Sequence, residues 1–337
     1  MITMSYEKKY TPDDLKIMQG WSLERKIQVT QTRIMEWFMK WNNKCYVSFS
    51  GGKDSTVLAD MAAKVCKMLG CKLILWFSDT GLEFPEVKQH IKEFAEWLRV
   101  KYGVEVELVI DCPKDTDGKR ITFRDVVLNE GYPIITKTVS RQVHDVQNLG
   151  SSCWATRCFD GREQGQYKME KWKFLIDAPF KISNKCCNIM KKTPAHKFDK
   201  KTGLKPIIGT MACEGRQRRN DWLKNGCNSF DSTNPASKPM SFWRENDVLN
   251  YLVRYGLPYP SVYGEIKQNE AGDYYTTGLS RTGCVFCGFG CHLEKEPNRF
   301  QQMKQTHPKL WEYCMKSVDK GGLGMKDVLD YIEVRYE

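Results

Sequence analysis

A chain of 337 residues, 41% hydrophobic and 28% charged, can bury a full core as one large domain or as a domain with a smaller appendage. No apolar run reaches the roughly 20 residues that a membrane helix needs, and residues 1–10 are polar and charged, so a cytoplasmic location with no membrane partner is expected. The net charge of +11 argues against cationic partners and favours nucleotides, sulfate esters or nucleic acid, although a solvated basic surface would account for it equally.

In chain order, residues 13–41 carry apolar positions at helical spacing, so 1–43 reads as an N-terminal helical segment. Residues 44–49 contain Cys45-Tyr46-Val47-Ser48-Phe49, a short apolar run suited to a buried strand. A glycine loop at 50–55 follows, then helical periodicity over 56–69 ending at Gly70. Residues 72–78 predict a second buried strand, 84–102 a helix and 104–111 a third strand. Residues 112–167 are less regular, 172–180 suggest one more element, and 206–210 a further strand. Residues 246–255 form an amphipathic helix with Val248, Leu249, Leu252 and Val253 on one face. Residues 264–280 read as polar loop and 309–336 as a helical tail. Strands alternating with helices predict an α/β fold with a doubly wound, mostly parallel, Rossmann-like sheet. The expected domains are 44–235, binding a nucleotide, and 236–337, a helical C-terminal part bearing cysteines.

The segment Ser48-Phe49-Ser50-Gly51-Gly52-Lys53-Asp54-Ser55 lies between a strand and a helix. Two glycines let backbone N–H groups approach an anion, and the following helix presents its positive end. Ser50 and Ser55 offer hydroxyl donors and Lys53 a cation. The spacing is neither that of the G-x-x-x-x-G-K-[ST] loop nor that of G-x-G-x-x-G.

Ser50-Gly51-Gly52-Lys53-Asp54-Ser55 resembles the pyrophosphate loop of the adenine nucleotide α-hydrolase superfamily, and the chain more narrowly resembles the phosphoadenosine phosphosulfate (PAPS) reductase family. Phe77-Ser78-Asp79-Thr80-Gly81-Leu82-Glu83-Phe84-Pro85-Glu86 is similar to that family's Asp-Thr-Gly segment, and the resemblance implies that Asp79, Thr80 and Gly81 help hold the adenosine. In Gly209-Thr210-Met211-Ala212-Cys213-Glu214-Gly215-Arg216-Gln217-Arg218, Glu214 and Arg218 match the family's Gly-x-Arg-x-x-Glu-Ser-x-x-Arg, whereas Met211 and Gly215 depart from it. A basic cluster there, with Arg216 and Arg218, can clamp phosphate or sulfate. A weaker match runs from Pro239 to Trp243 and on through Tyr263-Gly264. The resemblance makes Lys53, Asp54 and Arg218 the candidate catalytic groups.

The chain has fourteen cysteines. In a reducing compartment close clusters point to metal or redox chemistry, while scattered ones such as Cys45, Cys66 and Cys71 read as small core hydrophobes. Cys186-Cys187 and Cys284-x-x-Cys287 resemble the iron–sulfur members of the family, which implies a [4Fe–4S] cluster on Cys186, Cys187, Cys284 and Cys287. Cys291 competes for one of those positions, and zinc competes for the same thiolates.

The resemblance implies an enzyme of sulfur transfer or sulfur assimilation that takes ATP, with Mg²⁺, or adenylyl sulfate. Its expected partners are a nucleic-acid acceptor and a thiol or sulfur donor protein. The alternatives are a true adenylyl-sulfate or PAPS reductase, which attacks with a thiol and releases sulfite, and a non-catalytic nucleotide-binding module with a structural zinc. The family's C-terminal Glu-Cys-Gly-x-His segment has no counterpart near Cys314, and its nearest echo is Gly290-Cys291-His292.

Overall fold

Cys45–Ser48 is the strand from which the main sheet grows. It lies between the strands Leu73–Ser78 and Lys205–Ile208, and Val106–Asp111 extends the sheet beyond Leu73–Ser78. All three ladders are parallel: Val47 stands opposite Leu75 on one side and Ile207 on the other, and Leu75 opposite Leu108. Parallel neighbours need crossovers, and the helices Lys53–Leu69 and Pro85–Tyr102 supply two of them. The first helix is covered almost all round, which is why its sequence is apolar on nearly every face. The parallel α/β architecture expected from the sequence is present.

The computed structural model describes residues 9–337, and the expectation about residues 1–10 lies, for 1–8, outside the described residues. The chain divides into two units woven from alternating segments. One holds the main sheet and consists of Met1–Ser78, Glu83–Asp111 and His196–Thr282; the other consists of Asp79–Leu82, Cys112–Ala195 and Gly283–Glu337. No described helix is long and apolar enough to cross a membrane.

The strand order bears on the candidate loop, which lies in the first unit. From Cys45–Ser48 the chain moves outward twice in one direction, then returns to add Lys205–Ile208 on the opposite flank. Such a reversal opens a crevice outside the carboxyl ends of the two strands that part there, where open α/β sheets bind ligands. Residues 49–55 leave one of those ends and residues 209–218 the other. The two turns approach closely, since a side chain begun at Gly209 would stand 3.3 Å from the Asp54 carbonyl oxygen.

Two details of the first unit differ from the sequence reading. The 13–41 helix is two helices, Pro12–Gln19 and Leu23–Lys40, because the Ser22 side chain accepts the Arg25 N–H and starts a new helix. The 264–280 stretch contains a hairpin, Ile266–Gln268 paired antiparallel with Tyr274–Thr276, turned by Asn269–Gly272. Asp60 is fully buried and fully answered: it accepts the Tyr102 and Tyr251 hydroxyls at 2.6 and 2.7 Å and pairs with Lys64 at 2.9 Å. This network joins the helices Lys53–Leu69, Pro85–Tyr102 and Glu245–Tyr255.

His90, beside the same helix, is 4% exposed, and its Nε2 stands 3.0 Å from the Thr56 hydroxyl. Burial pushes its imidazole down to about 4. The unfolded chain therefore takes up a proton below about pH 6.5 that the folded protein refuses, so stability is highest above that pH and falls as the pH drops toward about 4. At roughly 1.4 kcal/mol per unit, the loss across that window is about 3 kcal/mol. His90→Gln is expected to remove most of it, as read from urea unfolding at neutral and acid pH. An equal acid loss in wild type and variant would overturn this assignment.

In the second unit the 112–167 stretch is more ordered than its sequence suggests, with helices Phe123–Asn129 and Lys137–Leu149 flanking the short strand Ile134–Ile135. That strand pairs in parallel with Gly288–Phe289. The expected C-terminal helix is broken into Pro308–Met315 and Met325–Tyr331. Gly321, Gly322 and Gly324 lie between them, where glycines favour a turn over a helix.

Candidate nucleotide and cysteine sites

The loop begins where Ser48, half-buried, ends its strand. Gly51 has φ +73°, and a Cβ there would stand 2.7 Å from Ile91 Cγ1 and 2.9 Å from Val87 Cγ1. Only glycine meets both demands, which lets the backbone press against the helix Pro85–Tyr102. Gly52 starts the helix Lys53–Leu69 and has no side chain to cover its positive end. Ser50 is exposed, its hydroxyl 3.1 Å from that of Ser55, and the buried Ser55 hydroxyl donates to the Gly52 carbonyl at 2.9 Å.

Lys53 is placed differently from a free cation. Its side chain is 3% exposed; Nζ donates to the Ser280 carbonyl at 2.8 Å and pairs with Glu245 at 3.1 Å. Its backbone N–H donates to the Tyr263 hydroxyl at 3.1 Å. The ammonium is thus a fixed positive charge under the start of the helix. Asp54 lies beside it, with Oδ1 3.9 Å from Lys53 Nζ. That oxygen is enclosed and accepts no hydrogen bond from the described residues. Burial raises the Asp54 carboxyl above its usual range; Lys53 opposes the shift and Glu214 adds to it.

Glu214 organises the second half of this site. Its side chain is 8% exposed, accepts the Met211 N–H at 2.7 Å, and forms ion pairs with both Arg218 and Arg281. Two guanidiniums are thereby tethered with about half of their surface free. Each keeps further N–H donors in a planar fork, the geometry that matches phosphate or sulfate. Arg216, in the first turn of the helix Arg216–Asn225, is exposed. The sequence motifs passed over Arg281 as a member of this site. Its neighbours belong here too: the Ser280 carbonyl holds Lys53, and the Thr282 hydroxyl stands 3.3 Å from that of Tyr263. The only sequence signal was the nearness of the run 280–282 to Tyr263-Gly264.

Asp79, Thr80 and Gly81 follow the strand Leu73–Ser78 and belong to the second unit. Arg120 pairs with Asp79 at 3.0 Å and also donates to its carbonyl at 3.1 Å. Asp79 caps the Gly81 N–H at 3.3 Å, and the Thr80 hydroxyl accepts the Leu82 N–H at 3.2 Å.

The candidate cysteine ligands all lie in the second unit. Cys186 is buried, while Cys187, Cys284 and Cys287 are half-buried. Cys186-Cys187 immediately precede a π-helical turn, Asn188–Lys192, an irregularity common at functional sites. Burial, then the neighbouring thiols of Cys284, Cys187 and Cys287, push the Cys186 thiol well up. Cys287 is pushed up to about 11 by burial and by Cys284, against the Phe289 N–H and Arg299. Cys291 is buried, donates to the Gly288 carbonyl at 3.0 Å, and is pushed up to about 12 mainly by burial. Cys186 and Cys287 thus feel neighbouring thiols, but among the described residues no three His, Cys, Asp or Glu side chains converge closely enough to hold an ion. The donor chemistry fits a thiolate-bound metal, but the ligand set is not closed.

Among known proteins, two uncharacterized proteins of Methanocaldococcus jannaschii are similar to this chain. One is 23% identical over 79% of this chain and 39% of its own length; the other is 24% identical over 88% of this chain and 53% of its own. The chain therefore spans about half or less of the length of these relatives. Two solved structures share a TM-score of 0.35 with it. The NMN synthetase of Francisella tularensis is 14% identical, over 71% of this chain and 73% of that one. The U34-tRNA thiolase of Methanococcus maripaludis with its [4Fe-4S] cluster is 15% identical, over 92% of this chain and 80% of that one. At such scores neither structure lends this chain an activity. The sequence profile of the phosphoadenosine phosphosulfate reductase domain matches residues 44–139, which hold the Ser50–Ser55 loop, the first three sheet strands and the Asp79–Gly81 segment. Over residues 44–139, then, this chain is similar to the phosphoadenosine phosphosulfate reductase domain.

Proposed function

We propose that the chain is an enzyme that binds an adenine nucleotide, ATP or adenylyl sulfate, by its pyrophosphate or sulfate end and uses it in sulfur transfer or sulfur assimilation. One observation carries this reading: at the reversal point of the sheet, a helix start that Gly52 leaves without a side-chain cap lies near two guanidiniums tethered by Glu214. Backbone N–H groups and the exposed Ser50 hydroxyl bind the anion, the Ser55 hydroxyl braces the turn through the Gly52 carbonyl, Lys53 adds a fixed positive charge, and Arg218 and Arg281 neutralise charge. With ATP as substrate, the enclosed, unanswered Asp54 oxygen is the position that would take Mg²⁺. An acceptor oxygen then attacks the α-phosphorus, the α–β bridge breaks, and pyrophosphate leaves. The positive charge of +11 suits a nucleic-acid acceptor, whose binding should weaken steeply with added salt.

We further infer that four of Cys186, Cys187, Cys284, Cys287 and Cys291 hold a [4Fe–4S] cluster, with zinc as the rival. Cys291 is the weakest candidate, because its thiol already donates to the Gly288 carbonyl. A bound cluster would supply iron able to hold or pass sulfur. Anaerobically purified protein is expected to be brown, and Cys284→Ser to lose most of its iron by elemental analysis. A colourless, zinc-loaded protein would remove the cluster from this account.

Reduction of adenylyl sulfate is less well supported. It needs an accessible attacking thiol, whereas Cys314 is buried in the helix Pro308–Met315 and burial holds it protonated. Three assays separate the readings. Pyrophosphate released from ATP supports the proposal. Sulfite released from adenylyl sulfate with reduced thioredoxin supports the reductase. Nucleotide binding without turnover supports a binding module with a structural metal. The loop itself is tested by Gly52→Glu, since a Cβ at this position already stands 3.2 Å from the Tyr263 hydroxyl. Undiminished binding of both nucleotides by that variant would sink the proposal.

A further inference from the structure

We propose that Cys66 and Cys71 form a redox-active pair, a site of reversible disulfide formation at the end of the helix that starts at the phosphate loop. The helix Lys53–Leu69 ends at Gly70, which has φ +63°. Two bonds close this end: Gly70 N–H to the Lys67 carbonyl at 3.4 Å, and Cys71 N–H to the Cys66 carbonyl at 3.0 Å. That pattern folds the residue after the glycine back toward the one five positions before it, the pair of positions whose side chains commonly meet at such an end. The contact is usually apolar; here both positions are free cysteines.

Their environments divide the chemistry between them. Cys66 is fully buried, its sulfur 3.9 Å from the Lys72 carbonyl, while Cys71 is half-buried and open to a reagent. Each thiol shifts the other: the neighbouring Cys66 lowers the Cys71 thiol below its ordinary range, while Cys71 and burial raise that of Cys66. Cys45 is the third thiol of this neighbourhood, but it is fully buried and donates to the Trp37 carbonyl at 3.7 Å.

The oxidant is a dialkyl disulfide. The Cys71 thiolate attacks one of its sulfurs, that S–S bond breaks, and one thiolate leaves. Cys66 then gives up its proton, its sulfur attacks Cys71 Sγ in the mixed disulfide, and the second thiolate leaves. The protein gives up two electrons and two protons, which appear as two molecules of the reduced thiol.

The test uses the full chain, reduced and then equilibrated with mixtures of oxidised and reduced glutathione, quenched in acid, alkylated and digested with trypsin. Cleavage after Lys64, Lys67 and Lys72 puts the two cysteines on separate peptides, 65–67 and 68–72. These peptides are expected to be recovered joined by a disulfide that reduction releases. The joined pair should be lost entirely in Cys66→Ser and in Cys71→Ser, and kept in Cys45→Ser. Recovery of both wild-type peptides alkylated, of Cys71 only as its glutathione adduct, or of Cys71 joined to Cys45 would each overturn the proposal. The readout is independent of nucleotide binding and of any metal.

Discussion

Gly51→Val should abolish nucleotide binding and destabilise the protein by about 3 kcal/mol. Two costs combine. A β-branched residue at φ +73° loses roughly 1–2 kcal/mol of backbone energy. Its Cβ would also lie within 3 Å of Ile91 Cγ1 and Val87 Cγ1, an overpacking that typically costs about 1–3 kcal/mol. The strand Cys45–Ser48 and the helix Lys53–Leu69 fix the loop at both ends, so it relieves the clash by moving its N–H groups away from the anion position. The milder Gly51→Ala keeps the backbone cost, and Ile91→Ala added to it should relieve only the share of the clash made by Ile91, since Val87 Cγ1 stays 2.9 Å from the new Cβ. Denaturant unfolding and calorimetric binding of ATP and adenylyl sulfate read the two effects. A variant that unfolds with the wild type and binds as tightly would show that Gly51 does not shape the site.

Arg218→Ala and Arg281→Ala are expected to weaken nucleotide binding by about 10- to 100-fold each, the worth of a charge-assisted hydrogen bond of roughly 1.5–3 kcal/mol. Stability should barely change, by less than about 1 kcal/mol, because both guanidiniums are about half exposed and such pairs are screened by water. That contrast identifies a binding role. The two losses should not add, since both arginines share the Glu214 carboxylate and removing one frees the other to shift. Arg216→Ala, at an exposed position without that tether, should cost less. Equal affinity in all three variants would remove the arginine clamp from the proposed mechanism.

The two halves of this site were not equally legible. The loop could be read because its logic is local: an apolar run, two glycines and helical periodicity, all within a few residues of one another. The alternation of strands and helices likewise announced a parallel sheet. Lys53 shows where that legibility stops. Its residue type suits a phosphate ligand, yet its ammonium is held by the Ser280 carbonyl and Glu245. Arg281 shows the converse, for nothing near it in sequence marks it as a partner of Glu214, 67 residues away. The Cys66–Cys71 contact is intermediate: both residues were visible as scattered cysteines, but the left-handed turn at Gly70 is what makes them neighbours.

By itself, the sequence determined the alternation of strands and helices in the main sheet and the strand, glycine turn and helix over 45–69, because backbone preferences and helix starts act over a handful of residues. Only the tertiary structure decided which distant segments meet. It put 209–218 and 280–282 beside the loop and assigned Asp79–Leu82 to the unit that also holds the cysteines. The physical reason is that contacts closing long stretches of chain are selected by burial and charge pairing across the whole fold, a choice that no local window of sequence encodes.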